Sequence, residues 1–187
     1  MFSEEKDRYT LEISQLQSTT DLNKGLWLIL AGINEIPPHI ALIQNGKYYS
    51  VSARKVKLGE PVERFLKAIS RNSLPTLFIG IKRCADIPPM GGLRGAEEFF
   101  NSYSVLGNGD HSCLSPISDF FAKNYAAEFA NASVVFELLA VAQKQDLLLE
   151  CKSLFVGLND KETIVLPKYM HKQIREKINS ILLLKYQ

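Results

Sequence analysis

"HIALIQNGKYYSVSA" occupies residues 39–53, and its centre decides the fold. Asn45-Gly46 stands between two runs rich in branched and aromatic residues. A two-residue turn of this kind needs positive φ at both central positions, which asparagine and glycine tolerate. The stretch reads as a tight β-hairpin. Pro37 and Pro38 precede it, fix where its first strand opens, and put His39 at the rim.

Working outward, "LWLILAG" (26–32) is a continuous apolar run bounded by Gly25 and Gly32, the signature of a buried strand. Further upstream, "SEEKDRYTLEISQLQS" carries Leu11, Ile13 and Leu16 at loosely helical spacing behind an acidic first turn. This predicts a peripheral N-terminal helix within residues 1–20. Downstream, "EPVERFLKAISR" offers Pro61 at a helix start and places Val62, Phe65, Leu66 and Ile69 on one face. "PTLFIGIK" is another buried strand, so residues 25–82 read strand, hairpin, helix, strand.

Beyond this unit the pattern turns helical. "RCADIPPMGGLRG" and "GNGDHSC" are loops, with a short helix over "AEEFFNSYSVL" between them. "SPISDFFAKNYAAEF" reads as a helix with Ser115 and Pro116 as cap and first residue. "SVVFELLAVAQKQDLLLECK" reads as one long helix, and "SLFVGLNDKETIVLP" as a second hairpin around Asn159-Asp160. "KYMHKQIREKINSILLLKY" closes the chain as an amphipathic helix. The class is α+β, a mainly antiparallel sheet with helices packed on it, in a single domain over residues 1–187.

Composition bounds the function. The chain has 187 residues, 46% apolar and 22% charged, enough to bury a sizeable core. A net charge of +2 argues against a nucleic-acid surface. Cys84, Cys113 and Cys151 are odd in number and form no CxxC pair, which suits a reducing, cytoplasmic setting rather than a disulfide framework. The polar opening "MFSEEKDRYT" is not a secretory signal. The run "LWLILAGI" is too short to span a bilayer, so no stable membrane insertion is expected.

Few residues offer chemistry. Cys113 lies just before a predicted helix, where partial positive charge favours thiolate. A thiolate nucleophile needs an imidazole in reach, either His39 or the sequence neighbour His111. No spacing matches structural zinc, and no metal or cofactor is expected. The loop "MGGLRGAEEFF" fits neither standard phosphate-binding spacing and reads as a connector or a rim over a site. Asp119 complements the first turn of its helix, and Asp110 is a polar loop residue. The basic terminal helix is read as packing on the core with a solvated face, ahead of a membrane or partner surface.

The order of the pair adds to this. A histidine opening a strand, a glycine turn, a second strand and, much later, a cysteine at a helix start resembles the permuted papain-like enzymes. These are the circularly permuted branch of the NlpC/P60 group that includes the lecithin:retinol acyltransferase-like thiol hydrolases and acyltransferases. His39 matches the base, Asn45-Gly46 the turn and Cys113 the nucleophile; Ser50 falls where the family places its third polar residue, often a second histidine. The chain departs from the family in lacking Asn before Cys113. The resemblance implies a cysteine-dependent amidase, peptidase or acyl transferase acting on a small-molecule or peptide amide or ester. The competing expectation is a non-catalytic ligand-binding or scaffold domain.

Overall fold

The computed structural model describes residues 2–5, 8–83, 95–106, 111–157 and 163–183. Among the described residues ten strands run in chain order: β1 (Phe2–Glu5), β2 (Arg8–Glu12), β3 (Ser14–Gln15), β4 (Leu26–Ala31), β5 (His39–Gln44), β6 (Lys47–Val51), β7 (Val56–Pro61), β8 (Thr76–Ile81), β9 (Leu148–Leu154) and β10 (Thr163–Pro167). The helices are α1 (Val62–Arg71), α2 (Ala96–Asn101), α3 (Ser115–Asn124), α4 (Val135–Lys144) and α5 (His171–Leu183). A seven-stranded sheet has the order β3-β9-β8-β4-β5-β6-β7, antiparallel except where β3 meets β9. A smaller antiparallel sheet has the order β1-β2-β10. The class is α+β with mostly antiparallel strands.

Strand β4 explains the architecture. It sits between β5 and β8, and every one of its residues is buried. A strand covered on both faces shows no polar alternation, which is why its sequence is a continuous apolar run. Leu26, Leu28 and Leu30 face one hydrophobic layer; Trp27, Ile29 and Ala31 face the other. The second layer is closed by α1, whose Val62, Phe65, Leu66 and Ile69 are all buried as the helical spacing requires. Phe65 stacks on Tyr48 with ring centroids 4.4 Å apart. The first layer is filled by α2, α3 and α4, with Phe100, Phe120, Phe121 and Phe129 among its fully buried side chains. The smaller sheet joins this layer through Leu11, Leu166 and Tyr9, which stacks on Phe136 at 4.3 Å.

The hairpin forms as the sequence requires. Gln44 pairs Lys47, and Asn45 and Gly46 take φ of +50° and +75°. A strand the sequence reading lacked, β7, then lies against β6 and leads into α1.

Three expectations are overturned. The described residues of 1–20 contain no peripheral helix; they include β1, β2, β3 and the start of a 3₁₀ turn over Thr19–Asn23. Tyr9, Leu11 and Ile13 are buried at every second position, a strand period that β10 completes by pairing with β2. The long helix over 133–152 stops at Lys144. Asp146 adopts φ of +54°, and the chain leaves the helix to enter β9. The second hairpin does not form either, since β9 pairs with β8 and β3 while β10 pairs with β2. Its turn, Asn159-Asp160, lies outside the described residues, as do the loop over 84–94 with Cys84 and Arg94, and Asp110.

The closing helix is present as α5. Ile174 is its one buried residue, with Ile178, Ile181 and Leu182 half-buried against the first layer. Among the described residues, no helix is long and apolar enough to cross a membrane.

Candidate functional site at the start of β5

The local structure around Cys113 is set by serines. The Ser112 N–H donates to Ser115 Oγ at 2.9 Å, and the Leu114 N–H donates to Ser112 Oγ at 3.2 Å. These bonds close a turn that holds Cys113 two residues ahead of α3. Leu114, rather than Ser115, is the residue that caps the helix.

The backbone N–H of Ile40, the residue after His39, acts on the Cys113 thiol and pulls its pKa down against burial. The strand ladder sets where that amide points. β5 and β6 pair from Gln44 only as far as Leu42. In an antiparallel pair alternate residues point their N–H groups the same way, so Ile40 points toward β6 like Leu42 and Gln44. Beyond Leu42 the β5–β6 ladder ends, and just past β6 the Ser52 carbonyl accepts from Leu106 N–H at 3.0 Å.

His39 and Ser50 flank this opening. His39 opens β5 opposite Ala31 and shares a face with Ala41 and Ile43, the face covered by α1. Ser50 shares that face with Tyr48. Cys113 packs against the opposite layer and reaches the same strand end from there. His39 and Ser50 therefore lie on the face of the sheet that α1 covers, and Cys113 on the opposite layer. His111 goes elsewhere: its Nε2 lies 3.2 Å from the Ser104 carbonyl, and its ring meets Tyr103 edge-on at 5.3 Å. Tyr103 also donates to Asp119 at 2.5 Å, an anchor between α2 and α3. Cys151 is buried in β9, its thiol pushed up to about 12 by burial.

Electrostatics favour neutral partners. Burial, followed by the field of Lys57, lowers the His39 pKa to about 4; Lys177 acts in the same direction and Glu35 opposes it. Burial raises the Cys113 pKa, against the opposing pull of the Ile40, Cys113 and Leu114 amides. At neutral pH the resting side chains are imidazole and thiol. The expectation that a helix start would yield a standing thiolate is thus outweighed by desolvation.

Neighbours that the sequence did not announce complete the site. Tyr48 is buried, with a hydroxyl that Ser50 hydrogen-bonds, and Lys57 Nζ lies 5.0 Å from its ring centroid. Lys57 pairs with Glu60 at 3.5 Å. Lys177, on α5, pairs with Glu35 and reaches the Pro37 carbonyl at 3.4 Å, tying the closing helix to the loop that delivers His39. Beside this tie is a narrow apolar cavity whose walls include Leu30, Ile33, Pro38, Phe136 and Tyr169. Only the alternation of "KYYSV" hinted at any of this, by putting Tyr48 and Ser50 on one face. Among the described residues, no group of three or more His, Cys, Asp and Glu side chains is placed to hold a metal ion.

Comparison with known proteins finds no matching family model, no matching curated protein and no matching solved structure.

Proposed function

We propose that the opening of β5 is the active site of a cysteine-dependent hydrolase or acyl transferase, with Cys113 as nucleophile and His39 as base. The observation that carries the reading is that the Ile40 amide, one residue from His39, acts on the Cys113 thiol and pulls its pKa down against burial. The His-first, Cys-later order and its likeness to the permuted papain-like enzymes support it. The neutral charge state defines the mechanism. His39, unprotonated at neutral pH, takes the thiol proton as sulfur adds to the carbonyl carbon of an ester or amide. The carbonyl electron pair moves to oxygen, then returns as the C–O or C–N bond breaks, and His39 delivers the proton to the leaving group. Water or an acceptor alcohol or amine then releases the acyl group from sulfur. Ser50, which donates to Tyr48, retains lone pairs to accept the second imidazole N–H and fix the ring.

The test is acylation by p-nitrophenyl acetate. The reading expects a stoichiometric nitrophenolate burst, an acetyl group found on Cys113 by peptide mass spectrometry, no burst in Cys113→Ala, and a burst slowed about 100-fold or more in His39→Gln. A chain that shows no burst, or one that survives Cys113→Ala, is not a thiol enzyme of this kind. Cys113 is then a packing residue of a non-catalytic binding or scaffold domain.

A further inference from the structure

The Asn45-Gly46 turn is held in a conformation that works against the chemistry of its own sequence. Asparagine before glycine is open to self-attack: the Gly46 nitrogen can close on the Asn45 side-chain carbonyl, because the following residue has no Cβ to stand in the way. The ring closes only when that nitrogen eclipses the Cα–Cβ bond of Asn45. Positive φ at both positions, +50° and +75°, defines the mirror-image type I turn, in which ψ of the first residue is about +30°. At that angle the Gly46 nitrogen lies nearly opposite Cβ, on the far side of the Cα–C bond. The turn cannot rotate without losing its anchors. Gln44 pairs with Lys47 across it. The Asn45 N–H donates to the Gly25 carbonyl at 2.9 Å, and the Gly46 carbonyl accepts from the N–H of Val62, the first residue of α1, also at 2.9 Å. Asn23 packs so closely that a Cβ on Gly46 would come within 3.1 Å of its Oδ1. Asn45 itself is exposed, so water reaches its side chain and only the rotation is withheld.

We propose that Asn45 is a modification site gated by the hairpin: water converts its side-chain amide to a carboxylate only when the turn opens, and the isoaspartyl form of the product does not close again. In the open turn the Gly46 nitrogen loses its proton to hydroxide and bonds to Asn45 Cγ. The Cγ–Nδ2 bond breaks, and ammonia leaves with a proton from water. Water then opens the imide at one of its two carbonyls, and the Gly46 nitrogen regains a proton. Opening at Cγ gives aspartate in an unaltered main chain. Opening at the main-chain carbonyl gives isoaspartate, which carries the chain through Cβ and Cγ and leaves the α-carboxylate as the side group. A two-residue loop fixes the register of its strands, so the extra carbon displaces Lys47 from Gln44 and the Gly46 carbonyl from Val62. The strands concerned carry His39 and Ser50, and the gate stands whether or not those residues are catalytic.

Peptide mapping by mass spectrometry tests this on the full chain, aged at mildly alkaline pH in buffer and in guanidinium chloride. Asn108-Gly109 repeats the dipeptide and supplies the reference: in guanidinium chloride the two asparagines are expected to convert at the same rate. In buffer Asn45 is expected to convert at least about 100-fold more slowly than in guanidinium chloride, a protection matching that of the Asn45 and Val62 amides against hydrogen exchange. Conversion in buffer within about threefold of the rate in guanidinium chloride overturns the gate, and no conversion of Asn45 in either solvent overturns the site. Refolding tests the product. The isolated isoaspartyl fraction is expected to melt about 4 °C or more below Asn45→Gly given the same treatment, a variant that suits positive φ and has no amide to lose. Asn45→Asp, which adds the charge without the extra carbon, is expected to melt close to the wild type. An isoaspartyl fraction that melts with Asn45→Gly, or an Asn45→Asp variant that falls as far as the isoaspartyl fraction, overturns the claim that the altered main chain keeps the turn open.

Discussion

His39 is a half-buried imidazole held neutral, and that state has a cost that acid must expose. In the unfolded chain the ring titrates at 6.5; in the folded protein it titrates at about 4. The unfolded state therefore binds the proton more readily between these values. Stability is fully present above pH 6.5, falls as pH drops toward about 4, and stops falling on this account below that point. Each tenfold difference in proton affinity between the two states is worth about 1.4 kcal/mol, so the fall from 6.5 to about 4 carries roughly 3 kcal/mol, of which about 2 kcal/mol is lost between pH 7 and pH 5. Carboxylates and other histidines add their own slopes, so the informative quantity is a difference. Urea denaturation of wild type and His39→Gln at pH 7 and pH 5 isolates it, because glutamine keeps a polar side chain that does not titrate. The wild type is expected to lose about 2 kcal/mol more than the variant over that interval, a melting shift on the order of 4–8 °C for a chain of this size. Parallel losses in the two proteins would refute the reasoning, as would an imidazole NMR titration midpoint near 6.5.

Three further outcomes follow from specific contacts. Lys177→Met is expected to raise the His39 pKa and Glu35→Gln to lower it further, because the two charges act on the ring in opposite senses; NMR titration reads both, and shifts of the same sign would contradict the arrangement. Gly46→Ala places a Cβ 3.1 Å from Asn23 Oδ1 at a φ of +75°, and chemical denaturation should register a loss of about 1–2 kcal/mol, whereas an unchanged midpoint would mean the turn differs. Glu137 accepts from the Ser133 N–H at 2.7 Å and the Val134 N–H at 3.3 Å ahead of α4; Glu137→Ala should cost about 1 kcal/mol in the same assay, and a neutral result would remove that cap.

Much of the fold was legible where local chemistry and tertiary environment agree. Asn45-Gly46 dictates its own turn, β4 and β8 are apolar enough to be buried on both faces, and the spacing of Val62, Phe65, Leu66 and Ile69 specifies α1. The readings failed where a partner distant in sequence decides. β2 is a strand because β10 pairs with it from more than 150 positions away, and Tyr9, Leu11 and Ile13 fit both helical and extended templates over so short a run. The helix over 133–152 was cut by Asp146, whose positive φ is a tertiary choice that composition does not announce. In the site, His39 and Cys113 were visible as residue types in a suggestive order. The field of Lys57 and Lys177 on the imidazole and the pull of the Ile40 amide on the thiol arise only when separate elements come together.

The most direct test of the thiol site is the pH–rate profile of Cys113 acylation by p-nitrophenyl acetate, measured from pH 4 to pH 10. A thiol activated by neutral His39 reacts at a rate that rises once, as the imidazole loses its proton near pH 4, and holds a plateau through neutrality. His39→Gln should abolish the plateau and leave only the hydroxide-dependent reaction of a half-buried thiol. A rate that instead climbs tenfold per pH unit through pH 8, identically in both proteins, would contradict the pairing of Cys113 with His39.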